Sequence, residues 1–340
     1  MEMTTHRALL DDFVVAETHC YFKRHADKGA MGKFVHNRSV ASADANQTVV
    51  RMNQDVLYSA MVMDLRKSPV VIALPSVEIT NRRYVSLQII SETHNSSDVA
   101  YEGTHTISLD SVGTPFAMAI VRVGVKRNDA YDESKAWEVQ DAIRVSQDDG
   151  GPGSFSPDVV YNATDVDAMR KSLRELKHYF RPTDAERLGD RHNLDRLAQL
   201  MGAASGWGGL RAEDATYSIH FPPSSSSEEE DDGGGDAKNY VIHIPPEGVP
   251  LIGNGFWSVT VYDKDGFLQP QASVNSTTAT VEEDGSIIIG IVHDSNRDDA
   301  FTNVIAQAGP GWSYTVRIYR PGRAVLDGTF KFPEAVVQLS

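Results

Sequence analysis

The chain of 340 residues has a single cysteine, Cys20, and lacks any apolar run of the roughly 18 residues that a membrane-spanning helix needs. A single cysteine excludes an intrachain disulfide, so packing alone has to hold the fold. Cys20 keeps helical spacing with Leu9, Phe13 and Ala16, which favours a buried, inert thiol over a nucleophile. The sequence fits neither a disulfide-stapled scaffold nor a membrane helix.

Basic residues are also scarce. The chain has 32 Lys and Arg against 47 Asp and Glu, which gives a net charge of −15. Phosphate groups and anionic lipids are repelled by such a surface, so we expect no nucleic acid and no membrane as partner. Glu2, Asp11 and Asp12 interrupt the apolar core that a secretion signal requires. As printed, the sequence therefore predicts a cytoplasmic protein.

Two kinds of periodicity alternate along the chain. Helical spacing marks residues 7–24, 132–146, 165–180 and 184–204. Elsewhere, apolar and β-branched runs are separated by turn-forming residues, which is typical of antiparallel strands. The patterns predict a mainly β protein with helices, built as two jelly-roll-like antiparallel β-sandwich domains joined by a helical segment.

The same patterns set the expected domain boundaries. We expect an N-terminal helix at residues 1–33, a first β-domain at 34–147, a helical connector at 148–204 and a second β-domain at 205–340. Residues 223–237 contain a serine run, an acidic run and a glycine run. Because such a composition buries no apolar surface, it predicts a disordered loop inside the second β-domain.

Several motifs in a fixed order carry a resemblance to a known pair of families. They are F-V-H-N-R at 34–38, V-R-M-N-Q-D-V-L-Y-S at 50–59, G-W-G-G-L-R-A-E-D-A at 206–215, G-F-W-S-V-T-V-Y at 255–262, P-G-W-S-Y-T-V-R at 310–317 and L-D-G-T at 326–329. On these motifs the chain resembles the paired domains of unknown function 1254 and 1214. Met52 and Val56 stand where the family pattern usually has Pro and Thr. The resemblance implies two jelly-roll-like domains joined through helices, and it implies no activity.

The densest group of polar side chains in the first β-domain is Arg51, Asn53 and Asp55. If residues 49–58 form a strand, these three side chains share one face, because side chains alternate along a strand. Arg51 would then hold an anion, Asn53 would donate and accept hydrogen bonds, and Asp55 would act as acid or base. Tyr58 lies nearby and joins Asp55 as a catalytic candidate. The alternative is a structural network in which Arg51 pairs with Asp55.

Other polar residues of the first β-domain would complete this site. His36 is a further catalytic candidate, and Gln88, His94 and Arg122 are ligand-binding candidates. His36, His94 and His105 could together bind a metal, but their spacing matches none of the tight ligand patterns, so we expect no metal site. The sequence identifies no cofactor.

Two functions remain open from the sequence. The first is binding or transformation of a small polar ligand in a pocket of the first β-domain. The second is a non-catalytic jelly-roll assembly or interaction protein that forms homo-oligomers. A serine hydrolase is disfavoured because the chain has no G-x-S-x-G elbow.

Overall fold

The computed structural model describes most of the chain, namely residues 5–43, 47, 50–96, 99–148, 153–176, 179, 195–222, 238–293 and 301–338. The predicted loop at 223–237 lies outside the described residues, as do residues 184–194 of the predicted helix at 184–204.

The chain folds into two compact units, each assembled from separate segments. Unit 1 comprises Met1–Arg38, Leu57–Val125 and Tyr131–Asp214, and unit 2 comprises Ser39–Val56, Lys126–Ala130 and Ala215–Ser340. Unit 2 thus incorporates a segment from the N-terminal part of the chain. The domain boundaries drawn from the sequence stay a prediction.

Most of the helices belong to unit 1. In chain order the helices are α1 (Phe13–His25), α2 (Val77–Thr80), α3 (Leu109–Val112), α4 (Ala130–Asp141), α5 (Ala163–Glu175), α6 (Arg196–Gly206) and, in unit 2, α7 (Arg323–Leu326). Within the described ranges, no helix has the length and apolar character required to cross a membrane.

Helices α1, α5 and α6 pack around one apolar cluster. Phe13 from α1, Leu173 from α5 and Leu200 from α6 are among its buried members. Cys20 packs against the same cluster, and burial raises the pKa of its thiol. The raised pKa favours the protonated thiol. The side chain is partly buried, and its inert role stays a prediction.

Polar side chains determine where α5 and α6 begin. Asn162 accepts a hydrogen bond from the Thr164 N–H (2.8 Å) at the start of α5. Asp195 accepts one from the Ala198 N–H (2.9 Å) at the start of α6. Such N-terminal caps satisfy amide groups that have no partner inside the helix.

The strands of unit 1 form two larger sheets and one two-stranded pair. Their bounds are β1 (Thr5–His6), β2 (Val35–His36), β3 (Val56–Asp64), β4 (Val70–Ala73), β5 (Val85–Ser91), β6 (Thr104–Ile107), β7 (Phe116–Gly124), β8 (Arg144–Gln147) and β9 (Val160–Tyr161). The strand orders are β2-β3-β7-β5, β6-β4-β8 and β1-β9. The β1–β9 pair is parallel, whereas the β2–β3, β4–β6, β4–β8 and β5–β7 pairs are antiparallel.

The helix predicted at 132–146 is wrong at its C-terminal end. Helix α4 ends at Asp141, and residues 144–147 form strand β8 instead. Strand β8 pairs antiparallel with β4, with Val145 opposite Ile72. The long-range ladder thus overrides the local helical spacing.

The strands of unit 2 form two four-stranded sheets. Their bounds are β10 (Ala215–His220), β11 (Tyr240–Ile244), β12 (Leu251–Tyr262), β13 (Leu268–Asn275), β14 (Ile287–Val292), β15 (Asn303–Ala306), β16 (Ser313–Pro321) and β17 (Val336–Val337). The orders are β10-β16-β12-β13 and β15-β14-β11-β17. One apolar cluster takes buried residues from both sheets, including Val259 and Val316 from the first and Ile242 and Ile289 from the second. The predicted combination of antiparallel sheets with helices is confirmed.

The strand predicted at 49–58 is wrong over its first half. Strand β3 begins only at Val56, and residues 50–55 form a turn and bends. Arg51 has a φ of +54°, in the left-handed region, so the alternation of side chains that a strand would impose is broken. The Arg51 N–H donates to the Gly266 carbonyl (2.8 Å), which fixes this segment to a turn of unit 2.

Candidate functional site

The three polar residues Arg51, Asn53 and Asp55 lie in unit 2, where they cover a buried polar face of a sheet. Along β16, Tyr314, Val316 and Ile318 belong to the apolar core of unit 2. The residues between them are polar and also buried, namely Ser313, Thr315 and Arg317. One face of this sheet is therefore apolar and the other is a buried polar layer.

Arg51 and Arg317 organise this layer around Tyr262. Arg51 donates to Thr315 Oγ1 (3.2 Å) and Ser313 Oγ (3.0 Å). Arg317 donates from one nitrogen to the Arg51 carbonyl and the Tyr262 hydroxyl, both at 2.8 Å. Burial raises the pKa of Tyr262, so its hydroxyl keeps the proton that it donates to the Met52 carbonyl (2.8 Å).

The side chains of Asn53 and Asp55 also form hydrogen bonds within unit 2. Asn53 donates to the Tyr319 hydroxyl, and its carbonyl oxygen accepts the Asp55 N–H at 2.5 Å. Asp55 is 2% exposed, and its Oδ1 accepts a hydrogen bond from Asn275 (3.0 Å). Arg51 and Asp55 thus bind different partners, all within unit 2. Their assignment to ligand binding and catalysis stays a prediction.

The candidates Gln88 and Arg122 meet in unit 1. Arg122 is buried and donates to Gln88 Oε1 (2.8 Å) and to the Gly208 carbonyl (2.6 Å). Gln88 donates in turn to the Gly209 carbonyl (2.8 Å). The pair therefore holds the glycine-rich turn after α6 against strands β5 and β7.

His94 binds the same turn. Its Nε2 accepts the Gly208 N–H (2.9 Å), and its ring stacks on Trp207 with centroids 5.4 Å apart. Burial lowers the pKa of His94 to about 4, so the ring is neutral. The structure thus brings together Gln88, His94 and Arg122, and each of them forms a hydrogen bond with this turn.

Tyr58 and His36 lie on neighbouring strands of unit 1. The Tyr58 ring lies 5.6 Å from the Arg122 guanidinium, so it joins the Gln88 group. His36 Nδ1 and Ser59 Oγ are 2.7 Å apart, and Gln140 also donates to Ser59 Oγ (3.0 Å). Burial lowers the pKa of His36, and the nearby Arg38 lowers it further. Catalysis by these side chains stays a prediction.

The three histidines considered for a metal have separate partners. His105 Nε2 lies 2.8 Å from the Glu102 carbonyl, whereas His36 binds Ser59 and His94 binds Gly208. Across the part of the chain that the structure describes, no three His, Cys, Asp or Glu side chains are grouped so as to hold a metal.

A group that the sequence did not indicate surrounds a half-enclosed cavity of unit 1. The cavity measures about 170 Å³, and we call it the His19 cavity. Its lining includes Val15, His19, Arg66, Glu92, Phe116 and Tyr161. Helix α1 contributes Val15 and His19, strand β7 begins with Phe116, and Glu92 directly follows β5.

His19 and Glu92 form a fixed pair in the wall of this cavity. His19 Nε2 and Glu92 Oε1 are 2.8 Å apart, and Glu92 Oε2 accepts the Phe116 N–H at 3.0 Å. The Phe155 ring meets the His19 ring edge to face, with centroids 5.5 Å apart. Both oxygens of the carboxylate are engaged, so the pair is rigidly positioned.

Arg66 places a cation beside the pair. It donates to both oxygens of Asp64, at 2.9 and 2.7 Å, and these hydrogen bonds lower the pKa of Asp64. Its guanidinium lies over the Phe116 ring, 4.5 Å from the centroid. Asp64 and Phe116 together fix the position of the positive charge at the cavity.

Sequence reasoning missed this group because its members are distant along the chain. His19 and Glu92 are separated by 73 positions. The one available signal was Glu92 itself, a carboxylate that directly follows the apolar strand β5. Nothing in the spacing indicated that helix α1 would place a histidine beside it.

Comparison with known proteins gives the family and the fold. Family models for proteins of unknown function match residues 31–107 (DUF1254) and 223–323 (DUF1214). No curated protein matches the chain. Among solved structures, the VPA0106 protein from Vibrio parahaemolyticus is 15% identical with a TM-score of 0.68, over 97% of this chain and 98% of that one. This likeness shows that the two proteins share a fold.

A second solved structure is more distant. A putative uncharacterized protein from Burkholderia cenocepacia is 12% identical with a TM-score of 0.48, over 96% of this chain and 88% of that one. The two family models match in the order that the sequence motifs predicted. The chain belongs to the proteins of unknown function that pair a DUF1254 domain with a DUF1214 domain.

Proposed function

We propose that unit 1 binds a small, uncharged polar molecule in the His19 cavity. The observation that supports the proposal is the His19–Glu92 pair, held at 2.8 Å in a cavity wall that also contains the Arg66 guanidinium. Ligand sites typically combine apolar walls with a few fixed polar groups. Phe116 and Val15 supply the apolar part here.

Volume and charge define the expected ligand. A cavity of about 170 Å³ has room for a small molecule, since one water needs only about 10–15 Å³ of cavity volume. Glu92 and Asp158 line it together with one cation, Arg66, whose charge is balanced by Asp64. Anions are therefore disfavoured, and a compact molecule with hydroxyl or carbonyl groups fits best.

Filling the cavity is expected to weaken binding. We expect the hydroxy ketone dihydroxyacetone to bind with a Kd on the order of 1 mM, and Val15→Trp to weaken this binding at least about tenfold, because the indole occupies the ligand's space. Saturation-transfer NMR measures the binding. Lys23→Trp is the matched control, because it adds the same ring to the exposed face of α1 and leaves the cavity unchanged. Equal binding by the wild type and Val15→Trp would refute the proposal.

A second candidate function is assembly of identical chains, with the units built as jelly-roll-like sandwiches. Strand β10 lies at one end of its sheet, and Ile219 and Phe221 are 48% and 63% exposed. Exposed apolar edge strands favour pairing with a second copy. Light scattering at micromolar concentration should then give a dimer that Ile219→Lys converts to a monomer. A wild-type protein that is strictly monomeric would exclude this assembly.

A further inference from the structure

We propose that unit 2 holds tightly bound water in its polar layer, at a site formed by the side chains of Asp55, Ser258 and Ser273. The water forms hydrogen bonds with all three side chains and so fastens the segment that contains Asp55 to strands β12 and β13. The site belongs to unit 2, so it does not depend on ligand binding in the His19 cavity of unit 1.

The three side chains are buried, and each has a polar atom without a partner. Asp55, Ser258 and Ser273 are 2%, 0% and 6% exposed. Over the described ranges of the chain, no residue forms a hydrogen bond with Asp55 Oδ2, Ser258 Oγ or Ser273 Oγ. Buried polar atoms are nearly always hydrogen-bonded, either within the protein or to ordered water. Three such atoms in one layer therefore indicate internal water.

Ser258 and Ser273 point to the same face of their sheet. Val259 on β12 and Val274 on β13 belong to the apolar core of unit 2. Since side chains alternate along a strand, the adjacent serines point to the opposite face, where the polar layer lies. Both hydroxyl groups are thus on the polar side of the sheet.

The strand register brings the two serines close to each other. Ser258 lies opposite Asn275, and Thr260 lies opposite Ser273. Ser258 and Ser273 are therefore diagonal neighbours, with Cα atoms about 7–8 Å apart. Polar groups at such a separation are commonly bridged by water.

Asn275 places Asp55 over the same two strands. Its Nδ2 donates to Asp55 Oδ1 (3.0 Å), and its own Oδ1 accepts the Thr277 N–H (3.0 Å). The side-chain amide is thus fixed through both of its polar atoms. Because Asn275 lies directly opposite Ser258, it holds the carboxyl group of Asp55 beside the two serines.

Charge and hydrogen-bonding capacity identify the ligand as water. Arg317 lies opposite Ser258 on β16, and Arg127 donates to the Ser273 carbonyl (2.6 Å). These two guanidinium groups disfavour a metal cation at the site. A simple anion has no proton to donate to Asp55 Oδ2. Water donates to this oxygen and accepts from the serine hydroxyls, so it satisfies all three atoms.

Oxygen-17 relaxation dispersion tests the proposal, because it counts the water molecules that stay bound inside a protein. The wild type should hold at least one more such water than Ser258→Val, since valine fills the space and has no hydroxyl group. Ser218→Val is the matched control, because Ser218 is exposed on β10 of the same sheet, and it should leave the count unchanged. If Ser258→Val does not fold, Ser273→Val gives the same comparison. Equal counts for the wild type and the buried variant would overturn the proposal.

Stability provides an independent test. Ser258→Ala should raise the equilibrium constant for unfolding about two- to tenfold, the effect of losing one ordinary hydrogen bond. Ser218→Ala should leave this constant unchanged. Removal of a buried hydroxyl that has no partner would instead lower the constant, so a lower constant for Ser258→Ala would contradict the bound water. A crystal structure with an ion or a larger molecule at Asp55 Oδ2 would contradict it as well.

Discussion

Arg317→Met is expected to lower the free energy of unfolding by about 2–6 kcal/mol, because each of two buried acceptors that loses its donor costs about 1–3 kcal/mol. Arg317 is 4% exposed and lies in the polar layer of unit 2. Its removal leaves the Arg51 carbonyl and the Tyr262 hydroxyl without the donor that now serves both at 2.8 Å. Methionine fills a similar volume but donates no hydrogen bond. The decrease in the free energy of unfolding therefore measures mainly the lost hydrogen bonds and not a change in packing.

Urea unfolding followed by tryptophan fluorescence measures this loss. Arg323→Met is the matched control, because the Arg323 side chain is 96% exposed in the same unit. We expect the control to change stability by less than about 0.5 kcal/mol. A change of under about 1 kcal/mol for Arg317→Met would show that the polar layer does not hold unit 2 together.

The second large effect is a loss of stability in acid that depends on His94. Burial lowers the pKa of His94 from its ordinary value of 6.5 to about 4. Between these values the unfolded chain binds a proton that the folded chain excludes. The contribution of neutral His94 to the free energy of unfolding is therefore complete above pH 6.5 and is lost as the pH falls towards 4. The loss amounts to about 1.4 kcal/mol per pH unit, or roughly 3 kcal/mol in all.

His94→Asn isolates this contribution. His94 has a φ of +58°, which asparagine tolerates better than most residues, and the substitution removes the titrating ring. Unfolding free energies measured at several pH values between 4 and 7 should fall less steeply for the variant than for the wild type. Parallel curves for the two proteins would mean that His94 is not the group responsible.

The sequence predicted those elements whose apolar face is determined locally. Helices α1 and α5 form where the apolar residues have helical spacing. Their apolar faces are buried as expected, for example at Phe13 and Leu173. Residues 144–147 and 50–55 were mispredicted because their partners are distant. Strand β8 is determined by pairing with β4, and Arg51 by contacts more than 200 positions away, with Ser313 and Thr315.

The candidate site, like the fold, was predicted only in part from the sequence. Gln88 and Arg122 lie together because strands β5 and β7 pair. His94 joins them because all three side chains form hydrogen bonds with the turn at Gly208 and Gly209. The His19 cavity could not be predicted, since a helix and two strand ends supply its polar groups. Only the tertiary fold brings His19 to Glu92.

The central claim is that the His19 cavity of unit 1 holds a small uncharged polar molecule. The most direct measurement is the nitrogen-15 chemical shift of His19 Nδ1 during a titration with dihydroxyacetone. The account predicts a saturable shift at His19, absent in Val15→Trp, with the buried His94 unchanged. A His19 signal that stays constant, or one that shifts equally in Val15→Trp, would contradict it.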